Sequence, residues 1–172
     1  METRAERAIN AVNEAVGRTV AWLLAAMVAL QVVIVILRYV FKLGHPAAQD
    51  LMIYMHAITF MTLAGYALRH DAHVRVDIVY REAAPRTKAW IDLLGVVFFL
   101  WPMMGVMLWM SWPYVSSSWA IREGSDALSG LQYTYVLKAF IVVFPLLLVL
   151  QGVPMALVAL RTLRRRDAPA VS

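Results

Sequence analysis

The chain has 172 residues, 62% of them hydrophobic and 16% charged, with a mean hydropathy of +0.66, a formal net charge of +5 and no cysteine. That apolar content exceeds the ~45–50% of a soluble domain, and the lack of cysteine excludes disulfides, thiolate metal centres and thiol redox chemistry. The positive balance comes without a basic-aromatic nucleic-acid motif, so topology and anionic lipid headgroups explain it and no nucleic-acid partner is expected.

At the N-terminus, Ala5, Ala8, Ile9, Val12, Ala15 and Val16 recur at steps of three and four, while Glu6, Arg7, Asn10, Asn13 and Glu14 fill the other face. This pattern predicts an amphipathic helix over 1–18. It is expected to lie in the membrane interface, the alternative being a straight extension of the segment that follows. Four apolar stretches come next, at about 19–41, 50–68, 90–114 and 135–161. Each is long enough to cross ~30 Å of hydrocarbon at 1.5 Å per residue, which predicts an all-α integral membrane protein with four transmembrane helices plus the N-terminal helix, a single domain over 1–172. The first stretch is too long for a signal-peptide core and lacks a small-residue cleavage site, so it is expected to stay as an anchor. Period-two alternation is confined to a short piece near Val74, which argues against a transmembrane barrel.

The connections set the expected orientation. Arg4, Arg7 and Arg18 precede the first span, Arg69, Arg75, Arg81, Arg86 and Lys88 follow the second, and Arg161, Arg164, Arg165 and Arg166 follow the fourth. Arg38, Lys42, Arg122 and Lys138 fall in the other two connections, so the positive-inside rule places both termini and the second connection in the cytoplasm. Trp112, Tyr114, Trp119, Tyr133 and Tyr135 then crowd the outer interface, where amphipathic rings sit at headgroup depth.

Within the spans the inventory for chemistry is short: Gln31 in the first, His56, Thr59 and Thr62 in the second, and Gln151 in the fourth, with no carboxylate near the middle of any. A carrier that moves ions needs an intramembrane acid or an unwound, backbone-lined site. Pro102, Pro145 and Pro154 predict kinks rather than such a site. His56 with Thr59 and Thr62 outlines a polar seam, read as hydrogen-bonded helix packing rather than a proton relay, and no second span supplies a histidine for a haem. After the second span, two imidazoles and two carboxylates fall within nine residues from Arg69 to Asp77, but Arg69 and Arg75 repel a divalent cation. His73 and Asp77 are instead expected to tie the inner loop by hydrogen bonds. No catalytic residue, metal site or cofactor is expected.

The pieces resemble the small membrane (DctQ-type) subunit of tripartite ATP-independent periplasmic, or TRAP, transporters. The resemblance rests on Arg38-Tyr39-Val40-Phe41, Gln49-Asp50, the run from Arg69 through His73 and Arg75 to Asp77, Trp119 with Glu123-Gly124-Ser125, and Leu150-Gln151-Gly152. Many members open the second span with a tryptophan and two glutamates, where this chain has Ala48-Gln49-Asp50. The resemblance implies a non-enzymatic scaffold in a bacterial inner membrane, bound to a large DctM-type membrane subunit and to lipid. In such systems a periplasmic solute-binding protein delivers an organic acid or similar solute, and the large subunit couples its uptake to sodium. Arg38, Gln49, Asp50, His56, Arg69, His73, Arg75, Asp77 and Glu123 are the candidates for structural or partner contacts. Arg38 and Asp50 are expected to pair with each other, the alternative being a contact with a partner, and exposed charges on the outer side suit steering of a docking protein better than strong affinity. Ala57, Ala64, Gly65, Gly95 and Gly105 offer places for close helix approach. An unrelated four-helix accessory protein and a small autonomous exporter are the competing classes, and the latter needs a glutamate in the first span, where this chain has Gln31.

Overall fold

A computed structural model describes residues 4–70, 80, 83–127 and 129–164. Four helices are long and apolar enough to cross a membrane: α1 (Arg4–Tyr39), α2 (Pro46–Arg69), α3 (Pro85–Ile121) and α4 (Thr134–Arg164). No strand occurs among the described residues. Proline opens α2 and α3, at Pro46 and Pro85, where its missing N–H would have had no helical partner in any case. Arg122, with φ of 47°, ends α3 in a left-handed residue, and the N–H of Glu123 turns back to the Ser118 carbonyl at 3.0 Å.

The first helix corrects the expected layout. No turn separates the amphipathic segment from the span: α1 runs unbroken for 36 residues, about 54 Å at 1.5 Å per residue. The N-terminal segment is therefore the extension of the first span, not a helix lying in the interface. Its amphipathicity also points the other way from that of a surface helix. Glu6 and Asn13 are each 1% exposed, whereas Val12 is 52% exposed, so the polar face is turned into the bundle and the apolar face outward.

Neighbours in sequence run antiparallel, and α4 is the hub. It packs against α1, α2 and α3, while α3 lies along α4 without comparable contact to α1 or α2. Accordingly 39% of the most apolar stretch of α4 is buried, against 11–17% in the other three helices. Glycines on α1, α2 and α4 permit close approach of the helices. A Cβ at Gly17 would collide with the ring of Tyr66, which draws α1 onto α2, and one at Gly152 would lie 2.6 Å from the Trp101 indole nitrogen, which draws α4 onto α3. Gly65 meets Asn13 and Leu147, but Gly95 and Gly105 face open space and do not serve close approach.

A π-helical turn over Gly95–Leu100 interrupts α3 just before Pro102. Proline cannot donate to the preceding turn and crowds its carbonyl, and the turn absorbs one extra residue, with the Trp101 N–H reaching back to the Val96 carbonyl. The Trp101 side chain lies over Gly152 and donates its indole N–H to the Val149 carbonyl at 3.3 Å.

Candidate functional site

The polar side chains of the bundle gather into joints at its two ends. At the end holding the termini, three joints tie α1 to its neighbours. Asn13 donates from Nδ2 to Oε1 of Gln151 at 2.6 Å, and Gln151 is itself only 3% exposed. Two to three turns further toward the termini, Arg161 on α4 donates to Oε2 of Glu6 at 2.6 Å. On the other flank, one Arg69 nitrogen donates to the Asn10 carbonyl at 2.8 Å and to Oε2 of Glu14 at 2.6 Å. That carboxylate also meets Nε2 of His70 at 3.1 Å and Nε of Arg18 at 3.0 Å. Two charged pairs and a buried amide pair thus lock α1 between α2 and α4. In hydrocarbon or beside it, such groups are stable only when they satisfy one another.

At the opposite end, residues of the connection after α3 contact α2 and α4. Asp50, in the second turn of α2, accepts the backbone N–H of Leu131 at 2.9 Å. Tyr54, one turn on, donates its hydroxyl to the Leu131 carbonyl at 3.3 Å and lies 3.1 Å from the Thr134 hydroxyl. Lys138 donates to both carboxylate oxygens of Glu123, at 2.6 and 2.5 Å, and its ammonium sits 4.1 Å from the centre of the Tyr114 ring. The Lys138 ammonium, helped by the buried Ser118, holds the Glu123 carboxyl below the usual carboxylate range. Trp119 and Tyr135 close the joint edge to face at 5.0 Å.

The candidates read from the sequence divide accordingly. Arg69, Asp50 and Glu123 stand in joints. Arg38 and Gln49 are exposed, and the expected Arg38–Asp50 pair does not form, because the Asp50 carboxylate is turned to the backbone of the 131 region. His56 is exposed, whereas Thr59 and Thr62 are buried. No seam of the three forms: the two buried threonines donate to the Met27 sulfur at 3.8 Å and to the Ile58 carbonyl at 2.5 Å. His73, Arg75 and Asp77 lie outside the described residues. Sequence reasoning did not single out Glu6, Asn10, Asn13, Glu14, Lys138 or Arg161. For the four on α1 the signal was present in their spacing, but it was assigned to the membrane interface rather than to the bundle.

A cavity of about 540 Å³ opens at the terminal end among all four helices, with Asn10, Arg69, Lys88, Asp92 and Gln151 on its wall. Among the described residues no group of three His, Asp or Glu is placed to hold a metal ion. The arrangement holds helices together.

The sequence matches the family model described as tripartite ATP-independent periplasmic transporters, DctQ component, over residues 24–166. No curated protein and no solved structure matches it. The matched span takes in the second half of α1, all of α2, α3 and α4, and the connection after α3 with its joint, while Glu6, Asn10, Asn13 and Glu14 precede it. The chain therefore belongs to the DctQ family, the small membrane-spanning permease component of TRAP transporters.

Proposed function

We propose that this chain is the fixed scaffold of a sodium-coupled TRAP transporter, holding a large DctM-type subunit that binds and moves an organic acid or similar solute. A periplasmic solute-binding protein delivers that solute to the outer face. The chain lies in the bacterial inner membrane, with both termini and the connection after α2 in the cytoplasm, where 12 of its 16 basic residues then fall. The observation that carries the reading is the internal use of its polar groups. Asn13 and Gln151, Glu6 and Arg161, and Glu14 and Arg69 hydrogen-bond to each other across helices. An ion-translocating site needs oxygen ligands that are free to exchange partners, and these six side chains instead cross-link the frame. His73 and Asp77 serve the same frame by tying the cytoplasmic connection.

Substitution at those two positions tests the reading. His73→Ala or Asp77→Ala should reduce the amount of large subunit that copurifies, and uptake should fall in proportion to the complex that remains. The sodium dependence of uptake should not move. A normal yield of complex with a shifted sodium dependence would instead place this chain in the coupling machinery.

A further inference from the structure

Some polar side chains in the apolar zone lie outside the joints. Gln31 on α1 and His56 on α2 are both exposed, and neither hydrogen-bonds to any described residue. Their depths coincide. The Thr59 hydroxyl meets the Met27 sulfur, which sets these two residues at one level of the antiparallel pair. Gln31 lies four residues beyond Met27 and His56 three residues before Thr59, so both stand about 5–6 Å further toward the outer end at 1.5 Å per residue. Counted from Arg38 and Asp50, which mark the outer boundary, both sit about 10 Å inside the hydrocarbon.

A free amide or imidazole at that depth is unfavourable against lipid, which offers no hydrogen bond. Other polar side chains of the apolar zone are used inside the chain: Thr59, Thr62 and Gln151 are buried and bonded. The outward face of α3 contrasts with that of α1 and α2. It carries Phe98, Phe99, Met103, Val106 and Met110, with the Trp109 indole as its polar handle, a composition suited to lipid tails. His56 instead belongs to a stripe with Gln49, Ile53 and Phe60, spaced by four, three and four residues along one side of α2.

We propose that the α1–α2 face around Gln31 and His56 is the surface on which the large membrane subunit docks. The occupant is a transmembrane helix that offers a hydrogen-bonding side chain about 10 Å below the outer boundary. Both Gln31 and His56 can donate and accept, so a serine, threonine, asparagine, glutamine or tyrosine on that helix satisfies them. The α3 face is left to lipid. This assignment rests on the scaffold reading, and it adds which side of the frame the moving subunit is held against.

A photo-crosslinking residue placed singly at Ile53, Phe60, Phe99 and Met103, in membranes containing the whole transporter, tests it. Adducts with the large subunit are expected from Ile53 and Phe60, at least tenfold more abundant than from Phe99 and Met103. Exchanging both polar groups, Gln31→Leu with His56→Leu, should lower the copurified large subunit several-fold while the chain itself accumulates normally in the membrane. Adducts confined to the α3 positions, absence of adducts at Ile53 and Phe60 in a complex that still copurifies, or normal copurification of the double leucine variant would each overturn the docking face. Failure of any many-spanning subunit to copurify with the unsubstituted chain would overturn the scaffold reading and this assignment together.

Discussion

Asn13 and Gln151 are 138 positions apart in the chain and meet side chain to side chain at 2.6 Å, both almost wholly buried. The contact joins the first helix to the last. Removing Gln151 strands the buried Asn13 amide, whereas removing Asn13 leaves Gln151 only its longer bond to Oδ1 of Asn10 at 3.4 Å. Gln151→Leu or Asn13→Leu alone should therefore destabilise the purified chain by about 1–2 kcal/mol. The double variant should recover most of that loss. Thermal midpoints of the four proteins in one detergent give the coupling directly, and additive losses would show that the pair contributes no joint stabilisation.

The contact of Trp101 with Gly152 is the corresponding joint between α3 and α4. Gly152→Val places new atoms where the indole now lies, and overpacking of this kind costs about 1–3 kcal/mol. Gly95→Ala and Gly105→Ala meet open space and should leave the thermal midpoint unchanged or slightly raised. Equal loss in all three variants would mean that α3 is held by something other than this close approach.

Acid should weaken the Glu123–Lys138 joint in a definite direction. The Glu123 carboxyl is held below its ordinary value of 4.5 by the Lys138 ammonium first and by Ser118 second. Because the folded-state value is the lower one, the stabilisation is fully present above the ordinary value and is lost as pH falls through the depressed value. The thermal midpoint should thus separate Glu123→Gln from the unsubstituted chain at neutral pH. The two curves should converge in acid, below the ordinary carboxylate range. A difference that persists unchanged into strong acid would assign the effect to packing, not to the charged pair.

Orientation is open to a direct test because the sequence contains no cysteine, so a single introduced thiol is the sole reporter. Lys42→Cys, in the exposed connection between α1 and α2, should react in intact cells with an impermeant reagent added outside. Arg4→Cys, at the other end of α1, should be protected until the membrane is opened. The reverse pattern would invert the topology drawn from the basic residues.

How much of this was legible in the sequence follows from what each element depends on. The four spans were, because the length and apolarity of a crossing are local properties. The N-terminal segment was read correctly as amphipathic and wrongly as interfacial. A helical polar stripe looks the same whether it faces water or the amides and guanidinium groups of other helices, and Gln151 and Arg161 lie more than a hundred positions from Asn13 and Glu6. Asp50 was recognisable as a corner residue. Its partner was not, since the Leu131 contact is a backbone N–H that any non-proline residue would supply. Gly152 was noticed within Leu150-Gln151-Gly152, but the reason for that triplet needs the fold: adjacent residues face opposite helices, Gln151 toward Asn13 and Gly152 toward Trp101.

The central claim is that this chain frames transport and does not perform it. Reconstitution of the chain alone, the large subunit alone and the two together, each supplied with the solute-loaded binding protein and an inward sodium gradient, tests that claim most directly. Accumulation of solute should appear only in vesicles holding both membrane subunits, and the chain alone should match empty vesicles. Sodium-driven accumulation by this chain alone would contradict the account.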